Sequence, residues 1–231
     1  QMTIHVGAKT EAALKTAHGV EVAFRTAAGE AKTITADMLL VAVGRAPVAH
    51  GLNLESTKAR LEKGYVRVSP TMETDEPGLF AIGDVVTVEG KPHPMLAHVA
   101  SHECIGVAER LAGKNTEPVN YDRVPSATYS DPEVASVGLS EAEAKKRGYD
   151  VKVGRFPFAN IAKPRIIGHD AGFVKVVSDA KYDEVLGVHI VGPHATDLIA
   201  EACLALRLES TTEEMMRTIH AHPTLPEALM Q

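Results

Sequence analysis

The rhythm of apolar and polar positions changes twice along this chain of 231 residues. Near its start, "VEVAFRT" (20–26) and "AKTIT" (31–35) alternate with period two around the turn residues "AAGE", which predicts two strands. "MTIHV" (2–6) reads as another. The wholly apolar run "DMLLVAVG" (37–44) predicts a strand buried on both faces, as in a parallel α/β sheet, although no earlier βαβ unit supplies its neighbours. Turn residues dominate "GRAPVAHGLNLEST", after which strands are predicted at "YVRVS" (65–69) and at "LFAI" (79–82), the latter ending on Gly83-Asp84. A helix is expected from about Pro94 to Leu111, with Gly113 as its stop. "GKNTEPVNYDRVP" (113–125), poor in apolar residues, marks a domain boundary.

Beyond that boundary strands come first. "SATYS", "VASVGL", "VKVGRFPF", "GFVKVVSD" and "EVLGVHIVG" all read as strands, and only the four residues "AKYD" separate the last two. So short a link cannot make a crossover, so the pair must be antiparallel. "SEAEAKKRG" predicts a short helix, with Ser140 as N-cap and Gly148 as terminator. "HATDLIAEACLALRL" predicts a longer one with an apolar stripe through Leu198, Ile199, Ala202 and Leu206. The expected fold is an α/β tail followed by an α+β domain, its sheet mainly antiparallel and its helices on one side. The long helix and "VLGVHIVG" together carry more apolar surface than one thin layer is expected to bury. That predicts a two-fold partner face.

Composition narrows the function. A formal charge of −6 without long basic runs gives no support to a nucleic-acid or anionic-membrane partner. No apolar run is long enough to span a bilayer and no signal peptide is evident, so the expected address is cytoplasmic. Cys104 and Cys203 lie far apart in helical stretches, which fits buried thiols better than a disulfide framework.

Two segments carry chemistry. "TIHAHPTLPEALMQ" (218–231) crowds His220, His222 and Glu227 together. Glu227 has two readings: closing a capping box on Thr224, or orienting an imidazole so that it can take a proton near neutral pH. In "GLFAIGDV", Asp84 sits after a strand, where α/β sheets bind ligands, and "PMLAH" opens a helix whose N-terminus favours negative charge. His98 and His102, spaced i, i+4 beside Glu103, form a lesser candidate for a metal site.

"LLVAVGRAP", "GLFAIGDV", "PMLAH", "PSATYSDPEVASVGLSEAEAKKRG", "VLGVHIVGPHATDLI" and "TIHAHPTLPEAL" occur here in the order found in dihydrolipoamide dehydrogenases, pyridine-nucleotide disulfide oxidoreductases that serve 2-oxo acid dehydrogenase complexes. The chain resembles the C-terminal half of such an enzyme. The resemblance implies FAD and NAD as cofactors. It gives His222 the role of catalytic base and Glu227 that of its orienting carboxylate, with a cis His222–Pro223 bond between them. Asp84, Met95, Leu96, Ala97 and His98 would contact FAD, and Gly44, with Arg45 beside it, would line the NAD site. No metal is implied.

It further implies three regions: 1–46 as the end of an NAD-binding domain, 47–119 returning to the FAD domain, and 120–231 as an interface domain. The expected partners are a second copy, whose flavin site His222 would serve, and the lipoyl domain and acyltransferase subunit of a complex. The family's redox cysteines and Gly-rich fingerprints are absent, so this chain is expected to be inactive alone and to hold cofactor weakly. "FANIAKPRIIGHD" departs from the family's usual loop near Ile161–Ile166. The competing readings are a glutathione or mercuric reductase type, and a non-catalytic dimerisation module.

Overall fold

The computed structural model describes residues 2–231, which divide into two compact units, one ending at Pro47 and the other beginning at Val48. In the first, β1 (Lys9–Thr16), β2 (Gly19–Arg25) and β3 (Ala31–Ala36) form an antiparallel sheet with β2 in the centre. Alternation along β2 buries Val22 and Phe24, and the His5 ring packs on Phe24 with centroids 4.9 Å apart. The turn from β1 to β2 requires Gly19: its φ is +137°, and a Cβ there would lie 2.3 Å from the Ala36 carbonyl oxygen.

The expectation for the flanking runs is corrected. Residues 2–6 and 38–47 form no strand, and Leu40 and Val43 are exposed, the latter by 91%. An apolar run becomes a buried strand only where neighbours pair its backbone and cover its faces. No strand of this unit pairs with it.

The second unit opens with a small sheet, in which β5 (Tyr65–Val68) lies between β4 (Leu61–Glu62), antiparallel to it, and β6 (Val86–Val88), parallel to it. Val66, Val68, Met72, Val86 and Val88 form its core. "LFAI" is not the strand expected: only Phe80 makes a bridge, to Glu73. The pairing strand is β6, because Gly83, at φ +78°, starts a 3-10 turn (Gly83–Val85) that displaces regular pairing beyond it. The helix α1 (Ala97–Leu111) starts three residues later than expected, since Met95 adopts a left-handed φ of +56°.

Residues 126–192 supply a five-stranded sheet in the order β7 (Ser126–Thr128), β8 (Glu133–Gly138), β11 (Val185–Gly192), β10 (Phe173–Asp179), β9 (Val151–Pro157), antiparallel throughout. All five strands and the β10–β11 hairpin are as expected. The helix α2 (Glu141–Lys146) begins with the Ser140 hydroxyl accepting from the Glu143 amide. The short α3 (Ala162–Ile166) occupies the divergent loop.

One face of the sheet, through Val174, Val188 and Ile190, packs on Leu198, Ile199, Ala202 and Leu206 of α4 (Ala195–Arg207). Met215 of α5 (Thr212–Arg217) joins that core. Two expectations change here. Val177, opposite in parity to Val174, packs with Leu186 on Ala144 of α2, so helices cover both faces rather than one. And α4 and β11 bury each other, β11 almost completely, so the apolar surface invoked for a partner face is largely consumed within the chain. Among the described residues, no helix is long and apolar enough to cross a membrane.

Candidate functional site

The C-terminal loop leaves α5 and is pinned at its far end by Leu225, Ala228 and Leu229, all buried in the main core. At its near end Asp183, between β10 and β11, accepts from the Thr212 hydroxyl at 2.7 Å and the Glu213 amide at 3.0 Å, fixing the start of α5. Between these anchors the His222–Pro223 bond is cis.

The two histidines of the loop part company. His220 is drawn inward: its Nε2 lies 2.8 Å from Glu201 Oε1 on α4 and its Nδ1 2.9 Å from the Thr218 carbonyl. His222 is 71% exposed, with Nδ1 2.8 Å from Glu227 Oε1. The other oxygen of Glu227 accepts from the Thr224 amide at 2.8 Å. The two readings of Glu227 therefore do not compete, since each takes its own oxygen. Only half of a capping box is present, because the Thr224 hydroxyl donates to the Ala221 carbonyl instead of capping. The Thr224 amide first, and His222 second, hold the Glu227 carboxyl below the usual carboxylate range. A carboxylate at Nδ1 fixes the Nδ1–H tautomer and leaves Nε2 as a proton acceptor on the exposed ring.

The second cluster surrounds the turn at Gly83-Asp84. Glu103, from the buried side of α1, accepts with one oxygen from the Gly83 amide at 2.7 Å and with the other from the Tyr121 hydroxyl at 2.6 Å. The second oxygen is also 2.8 Å from His93 Nε2. His93 Nδ1 in turn accepts from the Met95 amide at 3.0 Å, which assigns the proton to Nε2. Both members of the His93–Glu103 pair are wholly buried. Burial, then the bond to Glu103, pushes the Tyr121 hydroxyl well above its ordinary value.

Around this cluster stand the residues singled out earlier: Asp84, Met95 and Leu96 half-buried, Ala97 and His98 exposed. No side chain caps the start of α1, where the Val99 and Ala100 amides both bond to the Leu96 carbonyl. His98 Nε2 lies 3.0 Å from the Pro125 carbonyl. Glu103, committed to Gly83, Tyr121 and His93, is not available to His98 and His102 as a metal ligand. In the first unit, Gly44 has a φ of +119° and open space where a Cβ would stand. Cys104 is exposed and Cys203 half-buried, both as free thiols, and burial raises the latter.

Sequence reasoning missed the His93–Glu103–Tyr121 network, the His220–Glu201 pair and a second cis bond, Asp131–Pro132. The network joins residues 10 and 18 apart in the chain, a spacing that matches no local periodicity.

Comparison with known proteins agrees along the whole chain. Residues 2–104 match the pyridine nucleotide-disulphide oxidoreductases, and residues 124–231 match the dimerisation domain of the same family. The dihydrolipoyl dehydrogenase of Bacillus subtilis is 47% identical over 87% of this chain and 41% of its own length. That of Thermus scotoductus is 45% identical over 100% of this chain and 49% of its own. The chain thus spans about half the length of the curated relatives it matches. Among solved structures, LpdA from Mycobacterium tuberculosis superposes with a TM-score of 0.85 at 24% identity, covering 96% of this chain and 47% of that one. The HOCl-induced flavoprotein disulfide reductase RclA of Escherichia coli gives 0.81 at 23% identity, over 95% of this chain and 49% of that one. Those two likenesses show the fold, and with the family matches they lead to one conclusion: this chain belongs to the pyridine nucleotide-disulphide oxidoreductases.

Proposed function

We propose that the complete protein is an NAD-dependent dihydrolipoyl dehydrogenase, oxidising dihydrolipoamide to lipoamide, and that this chain carries its acid/base group. The observation behind this reading is the exposed His222 ring, held at Nδ1 by Glu227, in a family whose relatives at 42–47% identity are named dihydrolipoyl dehydrogenases. His222 Nε2 takes a proton from a substrate thiol, and the thiolate so formed is the nucleophile of thiol–disulfide exchange. Glu227 keeps the ring in the tautomer that can accept it. His222 serves the flavin site of the partner in a homodimer.

Asp84, Met95, Leu96, Ala97 and His98 would hold FAD, and Gly44 would border NAD. The uncapped start of α1 suits the former, since its free amides favour the electron-rich edge of a flavin. The open space beside Gly44 suits the latter. When bound, FAD and a redox disulfide would relay two electrons from the dithiol to NAD. The redox cysteines belong to a part of the protein outside this chain, so the chain alone is inactive. Its regions are 1–46 of the NAD domain, 47–119 of the FAD domain, and 120–231 of the interface domain. The lipoyl domain and acyltransferase subunit of a cytoplasmic 2-oxo acid dehydrogenase complex are its partners.

The test compares the purified complete protein on dihydrolipoamide, oxidised glutathione and mercuric ion. Selective turnover of dihydrolipoamide, lost in His222→Ala with flavin content intact, supports the proposal. Preference for either other substrate overturns it. Flavin absorbance or turnover in the 231-residue chain would overturn its assignment as inactive alone.

A further inference from the structure

Glu103 is the largest wholly buried charged side chain described, and no step of the proposed reaction uses it. Carried on α1, it takes its partners from three separate stretches: the Gly83-Asp84 turn, the 91–96 segment through His93, and the 3-10 turn at Tyr121. Both oxygens are committed, and no buried side-chain polar atom among the described residues lacks a partner. Such a carboxylate is stable in the interior only while its donors stay in place, so the geometry of each partner constrains the others.

One of these bonds reaches backbone directly and a second is relayed to it. One ends on the amide of Gly83, immediately before Asp84. The other passes through His93, whose Nδ1 accepts from the amide of Met95, the residue whose left-handed φ of +56° sets the entry into α1. Glu103 therefore spans the two segments that carry the candidate FAD contacts, Asp84 on one side and Met95–His98 on the other. We infer that Glu103 is a positioning residue, which through the Gly83 amide and through His93 holds the Asp84 turn and the Met95–His98 segment in register as one flavin-binding surface. This rests on the FAD assignment proposed above.

The chemistry of the pair makes the inference specific. A glutamine at 103 keeps the shape and can still accept from Gly83, but its amide group then presents N–H to His93 Nε2. The ring must move its proton to Nδ1, and two N–H groups then face each other at Met95. The register link breaks while the packing stays.

The experiment uses the complete, FAD-loaded protein with Glu103→Gln, His93→Ala and Tyr121→Phe. It reads flavin dissociation, the visible circular dichroism of bound flavin, and ring 15N shifts of His93. Glu103→Gln is expected to unfold cooperatively as before, to move the His93 proton to Nδ1, to alter the flavin dichroism and to weaken FAD binding about tenfold, the equivalent of one charge-assisted hydrogen bond. His93→Ala, which leaves the bond to Gly83 in place, is expected to alter the dichroism in the same sense. It decides the matter if the glutamine variant does not fold. Tyr121→Phe, which removes a donor tied to neither segment, is expected to change FAD binding less than Glu103→Gln.

Wild-type affinity and dichroism in either of the first two variants would overturn the inference, as would equal damage from Tyr121→Phe. A complete wild-type protein that binds no flavin would overturn the functional reading and the inference with it. Flavin-replete wild type with indifferent variants overturns the inference alone.

Discussion

His93–Glu103 and His222–Glu227 are imidazole–carboxylate pairs of the same length, 2.8 Å, in two regions of one chain. In the first, neither side chain has any exposure. In the second, the carboxylate is 14% exposed and the ring 71%. The buried ring has both nitrogens engaged, one donating to Glu103 and one accepting from Met95, and so has no site for an outside proton. The exposed ring uses one nitrogen on Glu227 and leaves the other for the proton transfer proposed above. Distance alone does not distinguish the two pairs; what occupies the second nitrogen does.

The comparison breaks or sharpens under substitution, and the largest effect is expected at the exposed pair. His222→Ala in the complete enzyme should lower turnover by about 10²–10⁴-fold, the range for loss of a general base. Unfolding stability should stay within about 0.5 kcal/mol, as at other surface positions. A stability loss without a kinetic one would make the two pairs alike after all.

Glu103→Ala should do the reverse of His222→Ala on stability, costing about 3–5 kcal/mol, because the Gly83 amide, the His93 ring and the Tyr121 hydroxyl lose their acceptor at about 1–3 kcal/mol for each buried donor left unpaired. Chemical denaturation of the 231-residue chain would measure it, and a value near zero would place the network outside the cooperative core.

A smaller loss is expected from Glu227→Gln. Its amide oxygen can still accept from Thr224, while its N–H₂ faces His222 Nδ1 and favours the opposite tautomer. Turnover should fall by less than in His222→Ala, with stability retained. If stability falls and turnover does not, the bond to Thr224 is what the carboxylate is for.

The smallest effect is one of pH. The Glu227 carboxyl is depressed in the folded chain from an ordinary value of 4.5, so its contribution is full above that value and is lost as pH falls through the lower folded one. The stability difference between wild type and Glu227→Gln should therefore be constant at neutral pH and shrink under acid. A difference that grows on acidification would reverse the sign of this account.

Much of the second unit was legible from local pattern. Alternation identified every strand of the five-stranded sheet, a four-residue link dictated the antiparallel β10–β11 hairpin, and Ser140 announced α2. The segment holding His222 and Glu227 was equally plain, because they stand five positions apart in one loop. The same reasoning failed at Leu40 and Val43, where apolarity was read as burial, and at "LFAI", where a left-handed glycine moved the pairing strand to β6. It also placed all helices on one side of the sheet, because period-two patterns do not say which element covers which face.

The sequence by itself determined the strands of the five-stranded sheet, the cap of α2, and that His220, His222 and Glu227 share one short segment, since these depend on residues a few positions apart whose geometry the backbone sets directly. Only the tertiary structure decided which histidine of "HAH" turns inward to Glu201, and that Glu103 answers to Gly83, His93 and Tyr121. Those choices rest on exclusion of water and on partners brought together by folding, and a buried carboxylate takes whichever donors the closed core leaves within reach.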